Sequence, residues 1–382
     1  PDPSNPAVMG AVWRRPLVSL ALLCALLAGC DHHSSGRSAP PTSRTGGSES
    51  ATTSTAPPPP SVLHGVSFNS DQDGWALTDE ACPQPGADQA RCAVAWKTTD
   101  AGGSWTRLAR LDVPAAGAAS TDVVNAVRFA DTQHGWVYDR SLFATFNGGK
   151  RWQRVDLGNP VAALEVAGSQ AYALVGTCGY GAGNCTEPMR LAEGTIATGR
   201  WRFASLGFDL PYADAGALIA NRSGVYAHVA GPGGDVFLAR TGAGRWERRT
   251  APCARWLVAP ISGEDGLVAA CLPATPRGPV ELQTSSDGGG SWAVVWQFSF
   301  PNPVTSLAVT GKVAVVALDN GDVVRTTDNG MHFAPVLHTG ASPTLRFSDA
   351  DHGILTAGPD GSRQLFSTAD GGATWQPVPA PG

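Results

Sequence analysis

Charge is scarce in this chain of 382 residues: Lys, Arg, Asp and Glu together make up 15% of it. The net charge is −5 and no block of basic residues occurs, so the sequence carries no footprint for a phosphate backbone and nucleic acid is excluded as an expected partner. It also lacks any apolar run of about 20 residues, the length a helix needs to span a bilayer. Methionine (3) and tyrosine (5) are rare. Glycine (46), proline (30) and tryptophan (12) are plentiful instead. That balance suits short strands joined by many turns and works against long helices.

The first thirty residues read as a targeting signal. Arg14 and Arg15 precede an apolar stretch over 16–27, which has the length of a signal h-region and not of a membrane span. It ends in Leu27-Ala28-Gly29-Cys30, which resembles a bacterial lipobox. The resemblance implies cleavage before Cys30 and lipidation of that cysteine, hence a protein held by a lipid anchor on the outer side of the cytoplasmic membrane. Residues 1–8, ahead of Met9, read as an over-extended start, and 9–29 as the signal peptide. From 30 to 60 the chain is Ser, Thr, Pro and Gly with little apolar content, a tether too polar to offset its ordering entropy. His32 and His33 within it read as solvated side chains, not metal ligands.

Residues 61–382 carry a repeat. An eight-residue unit recurs at 98–105 (TTDAGGSW), 145–152 (TFNGGKRW), 285–292 (SSDGGGSW), 326–333 (TTDNGMHF) and 368–375 (TADGGATW). The acidic or amide positions are Asp100, Asn147, Asp287, Asp328 and Asp370, and the aromatic anchors are Trp105, Trp152, Trp292, Phe333 and Trp375. Two echoes without the acid end in Trp201 and Trp246. Successive anchors are 47, 49, 45, 46, 41 and 42 residues apart, the period of a four-stranded propeller blade. Seven anchors predict an all-β, seven-bladed β-propeller with four-stranded antiparallel blades filling 61–382. In the second unit the pattern predicts strands at 124–129, 136–138, 141–145 and 151–155. The aspartates are expected to accept hydrogen bonds from turn amides, and the glycines to supply positive φ. Asp71-x-Asp73 and Asp349-x-Asp351 lack the closing Glu of a calcium loop and read as turns. Strand counting predicts a ring closed by ordinary packing, without strand exchange.

Six cysteines remain beyond Cys24 and Cys30, an even number consistent with disulfides in an exported chain. Among the possible connectivities, blade geometry favours Cys82–Cys92, Cys178–Cys185 and Cys253–Cys271, all on the face carrying the B–C and D–A connections. Each short loop so closed gains about 2–3 kcal/mol. Zinc would need four converging ligands, and the neighbouring histidines stand singly, so no metal and no cofactor is expected. The loops 79–92, 176–188 and 272–280 on this face are the expected recognition surface.

The eight-residue unit resembles the Asp box, or BNR repeat. Together with the turns 68–75 (FNSDQDGW) and 347–354 (FSDADHGI), it makes 61–382 similar to the propellers of the photosystem II assembly and stability factors. Sialidases and sortilin-type receptors share the box. The resemblance implies fold strongly and activity weakly. It points to a binding or assembly scaffold for an envelope protein or glycan, monomeric, with catalysis the less favoured reading. The alternative is a sialidase-like glycoside hydrolase. Arg128 and Arg346 lie on inner strands as candidate ligand contacts, although an inter-blade ion pair also explains them. Such enzymes clamp a carboxylate with three arginines, and the Phe-Arg-Ile-Pro stretch of that family is absent. Tyr138, Tyr172, Tyr180, Tyr212 and Tyr226 offer no obvious nucleophile with a neighbouring acid, and Glu80 and Glu187 are the loop carboxylates to test.

Overall fold

The computed structural model describes residues 61–82, 91–115, 122–176, 187–213, 215–231, 235–242, 244–261, 266–273, 278–358 and 363–382. The expectations for residues 1–60, including lipidation at Cys30, and for a Cys178–Cys185 disulfide lie outside these residues. The described chain forms seven four-stranded antiparallel sheets, each built from four consecutive strands. It is a seven-bladed β-propeller, with blades over 65–114, 124–155, 161–203, 215–249, 256–298, 304–338 and 343–378. The second blade has strands Val124–Phe129, Gly135–Asp139, Leu142–Thr145 and Gln153–Val155, within two residues of those expected from sequence. Every aromatic anchor falls within one residue of the start of an outer strand D.

Each gap between neighbouring blades holds its own apolar cluster, seven in all. The aromatics make these clusters continuous from blade to blade. Trp75 of blade 1 stacks on Phe129 of blade 2, ring centroids 4.0 Å apart, and Trp136 of blade 2 meets anchor Trp201 of blade 3 edge-on at 6.2 Å. Tyr172 of blade 3 meets anchor Trp246 of blade 4 at 5.8 Å in the same way. The anchors therefore tie a blade to its predecessor as well as covering their own hairpins. The Phe-to-Gly turns also gain a reason. A Cβ on Gly135 would sit 2.5 Å from the Phe129 ring, and one on Gly74 would sit 2.5 Å from Phe68.

The five C–D turns with an acid or amide share one hydrogen-bond scheme. Asp100 Oδ1 accepts from Thr98 Oγ1 (2.6 Å) and the Ser104 amide (2.9 Å), and Thr98 Oγ1 accepts from the Gly102 amide (2.9 Å). Asp287, Asp328 and Asp370 repeat this with their own neighbours. Asn147 does the same with a neutral amide oxygen, accepting from Thr145 Oγ1 and the Arg151 amide. The turn at 349–352 is likewise local, with the Asp351 and His352 amides both donating to Asp349 Oδ1 at 2.8 Å.

These hydrogen bonds favour the ionised carboxylates. The Thr98 and Ser104 bonds lower Asp100 to about 2, the His332 amide and ring lower Asp328 to about 2, and the Thr374 bonds lower Asp370 to about 2. The Ser291 bonds hold Asp287 below the usual range too. A carboxylate whose folded pKa is depressed stabilises the fold above its unfolded value and loses that contribution as pH falls. An acid limb is therefore expected between about pH 4 and 2. Replacing all four aspartates by Asn, the residue blade 2 already uses, should flatten it. Tryptophan fluorescence followed through an acid titration measures this, and an unchanged acid midpoint in the Asn variant would contradict the assignment.

The ring closes by packing and by a buried polar clasp, without exchange of a strand. Leu63, Ala76 and Leu365 pack together across blades 1 and 7. On strand B of blade 1 (Gly74–Ala81), Asp79 is 3% exposed and accepts from the Val62 amide (2.9 Å) and Arg91 Nη2 (2.5 Å). Its second oxygen bonds His64 Nε2 at 3.1 Å, and Arg363 of blade 7 donates to the His64 carbonyl at 2.5 Å. Trp105 Nε1 reaches the Pro379 carbonyl (2.9 Å) on the same seam. Burial alone would raise the Asp79 carboxyl. His64, Arg91 and the Val62 amide outweigh it and hold the group well below the usual range.

Candidate functional site

Antiparallel blades put the B–C and D–A connections on one face and the A–B and C–D turns on the other. Both described disulfides lie on the first. Cys82 follows strand B of blade 1 and is bonded to Cys92 at the start of strand C (Arg91–Thr98). Cys253 precedes blade 5 and is bonded to Cys271, the last residue of that blade's strand B (Leu267–Cys271). Beside the second bridge, His228 Nε2 bonds Asp235 at 2.9 Å and the imidazole lies on Trp256, centroids 4.2 Å apart. Asp139, at the end of strand B in blade 2, is on this face as well. Burial raises it to about 6, against an opposing pull from Arg140.

The loop 79–92 is shorter than the sequence suggested. Residues 79–81 end strand B, and Arg91 and Cys92 begin strand C, so both flanks belong to the sheet. Glu80 is correspondingly a strand residue and not a loop carboxylate. Its Oε1 accepts from Arg107 Nη2 at 2.6 Å, with Arg110 Nη1 at 3.6 Å. Glu187 Oε2 accepts from Asn159 Nδ2 at 3.3 Å.

The inner strands enclose a cavity of about 1030 Å³ at the centre of the ring. Arg128 and Arg346 both line it, and both turn to one carboxylate, Glu165 of blade 3. Arg128 Nε donates to Glu165 Oε1 at 2.8 Å, its Nη2 contacts the same oxygen, and Arg346 Nη1 lies 3.7 Å from Oε2. Arg346 keeps 62% of its side chain exposed while Glu165 keeps 7%, so the arrangement is a buried acid capped by one enclosed and one open guanidinium.

Glu165 escaped the sequence reading, although a signal for it exists. In strand pairing Arg128 faces Trp136, Glu165 faces Tyr172 and Arg346 faces Ile354, all at the same register position of their blades. Aligning the blades on the strand-B residue after the A–B turn brings the three together.

The sequence shows no obvious tyrosine nucleophile with a neighbouring acid, and folding places two tyrosines with carboxylates from other strands. Tyr138 lines the same cavity as Glu165, Arg128 and Arg346. Burial pushes its phenol above the usual value, the Glu165 charge adds to this, and the arginines oppose it. Tyr172 stands beside Glu193, with Arg240 Nη1 donating to its hydroxyl at 3.4 Å. These neighbours are supplied by folding and not by adjacency in the chain.

No protein-family model matches the chain, and neither does any curated protein. Similarity is found among solved structures. YCF48 bound to D1 peptide superposes with a TM-score of 0.53 at 15% identity, covering 81% of this chain and 93% of that one. YCF48 from Cyanidioschyzon merolae superposes at 0.54 and 14%, covering 81% and 95%. The GH74 enzyme of Niastella koreensis reaches only 0.30 at 12% identity, covering 82% and 71%, and has no bearing on activity here. At these identities the likeness is one of fold: this chain is a seven-bladed propeller resembling YCF48.

Proposed function

We propose that this chain is an exported, lipid-anchored Asp-box propeller that serves as a binding or assembly scaffold for an envelope protein or glycan, docked on its disulfide-bearing face. The observation that carries this is the placement of both described disulfides at strand-B ends of one face, where they fix loop bases against a rigid ring. Preordered loops lose less entropy on binding, so such a rim favours recognition. A related propeller fold in complex with a peptide is in keeping with it.

The hydrolase reading has one observation in its favour, the presence of Tyr138 and Glu165 in the lining of one central cavity. Against it, Glu165 is hydrogen-bonded by Arg128, which occupies that acid and the enclosed guanidinium and leaves Arg346 alone open to a substrate carboxylate.

Removal of the whole loop 82–92 would take Arg91 from the Asp79 clasp and Cys92 from its disulfide. The informative variant replaces 83–90 alone with a Gly-Ser linker. Cross-linking capture from intact cells should return one partner with the wild-type chain and lose it with this variant at an unchanged melting temperature. Equal capture by both would sink the docking role of the rim. Hydrolysis of a sialoside that disappears on Tyr138→Phe would establish the alternative.

A further inference from the structure

The outer flank of the ring is not uniform in charge. On blades 1 and 2 the arginines within the outer strands have acidic partners: Arg107 contacts Glu80 at 2.6 Å and Arg154 contacts Asp122 at 2.7 Å, while Arg151, ahead of the second strand, is exposed and has no carboxylate partner among the described residues. Blades 3 and 4 differ. Their strands D, Arg200–Phe203 and Glu247–Arg249, together with Arg245 just before the second, carry five arginines against one acid, Glu247.

Strand alternation sorts these side chains. Arg202 pairs across to Glu193, whose carboxylate also receives Arg240 Nη1 (2.7 Å) and Trp246 Nε1 (2.9 Å) from blade 4. Arg200 and Arg202 therefore project into the outer mouth of the cleft between blades 3 and 4. Arg248 shares the side of its strand that Trp246 takes, and so faces the same cleft from across it. Two guanidiniums share Glu193, itself 6% exposed, and Arg200, Arg245 and Arg248 are exposed and have no carboxylate partner among the described residues.

One of these arginines is also laid on an aromatic ring: Arg248 Cζ lies 4.9 Å from the centroid of Phe208, in the connection that also carries Tyr212, 50% exposed. A guanidinium stacked on a ring keeps its in-plane N–H donors free, in the fork that matches phosphate oxygens. Arginine bordered by half-exposed aromatics is the composition of a surface that rests in a headgroup layer.

We propose that the outer cleft of blades 3 and 4 is a membrane-docking surface that binds the phosphates of anionic phospholipids. Anchored at one end of the chain or not, the propeller would lie flank-down on the leaflet. The disulfide face would then stand at right angles to the membrane, open to a partner from the side.

The test uses the full-length chain carrying Cys30→Ser, so that no acyl chain contributes. Sedimentation is measured with phosphatidylcholine vesicles and with vesicles containing phosphatidylglycerol. Binding is expected to the anionic vesicles only, weakening at high salt. The triple variant Arg200→Gln, Arg245→Gln, Arg248→Gln should partition about a hundredfold more weakly, each surface arginine contributing about fivefold. Its melting temperature should hold, because none of the three has a carboxylate partner. The pair Arg107→Gln and Arg154→Gln on blades 1 and 2 should bind as the wild type does. Equal binding to both vesicles, no binding to either, or a triple variant that binds like the wild type overturns the proposal. Retention on immobilised polyglutamate without vesicle binding also overturns it, in favour of an acidic polypeptide.

Discussion

Asp79→Ala is expected to cost about 3–5 kcal/mol of unfolding free energy, the usual result of leaving buried partners of a lost charge uncompensated. The carboxylate holds Arg91, His64 and the Val62 amide together, and His64 in turn receives Arg363 from the last blade. Its removal loosens the N-terminal lead-in and the seam between first and last blades at once. A propeller is a closed ring, so a weak seam weakens packing on both sides of it. Asp79→Asn retains an acceptor for the Val62 amide and should lose less. Chemical denaturation gives the size of the effect, and hydrogen exchange locates it. Faster exchange at 61–68 and 353–368 is expected to precede change elsewhere. An Asp79→Ala protein within about 1 kcal/mol of wild type would mean that apolar packing alone closes the ring.

Glu193→Ala is the second large effect, expected at about 3–5 kcal/mol for the same physical reason at a different seam. One carboxylate, 6% exposed, receives Arg202, Arg240 and the indole N–H of anchor Trp246. Truncation strands Arg240, which is 19% exposed, and orphans the anchor indole. Arg202→Gln should change stability by less than about 1 kcal/mol, since that side chain is 77% exposed and its ion pair is screened by water. Near-equal losses for Glu193→Ala and Arg202→Gln in thermal melts would show that the cluster is an ordinary surface pair. Blades 3 and 4 are the two whose C–D turns have neither the acid nor the amide at this position. The Glu193 cluster gives them an inter-blade polar link that their turns do not supply.

What the sequence made legible is local or periodic. The anchors announce the blade count because each sits within one residue of the start of a strand D, and the turn aspartates satisfy amides within four residues of themselves. The two described disulfides were legible for the same reason, spanning 10 and 18 residues. The polar groups that join blades were not. Arg128 and Glu165 are 37 residues apart, Arg240 and Glu193 are 47 apart, and Arg363 and His64 are 299 apart. No spacing rule reaches across such distances, and each acid looks ordinary in its own strand. The first two separations are close to one repeat, so comparison of equivalent positions in successive blades would expose them. The seam contact depends on the ring closing, which only the assembled fold shows. Arginine clustering on blades 3 and 4 was hidden likewise, since outer arginines occur on several strands and only the assembled blades bring Arg200, Arg202 and Arg248 to one cleft.

The central claim is that a partner docks on the disulfide-bearing face, and photo-crosslinking from each face in turn tests it most directly. A photoreactive residue is placed at Leu272, beside the Cys253–Cys271 bridge, and separately at Met331, 72% exposed in a C–D turn of the opposite face. In intact cells the account predicts one discrete adduct from position 272 and none from 331. An adduct from 331 alone, or from neither position while the wild-type protein hydrolyses a glycoside, would contradict it.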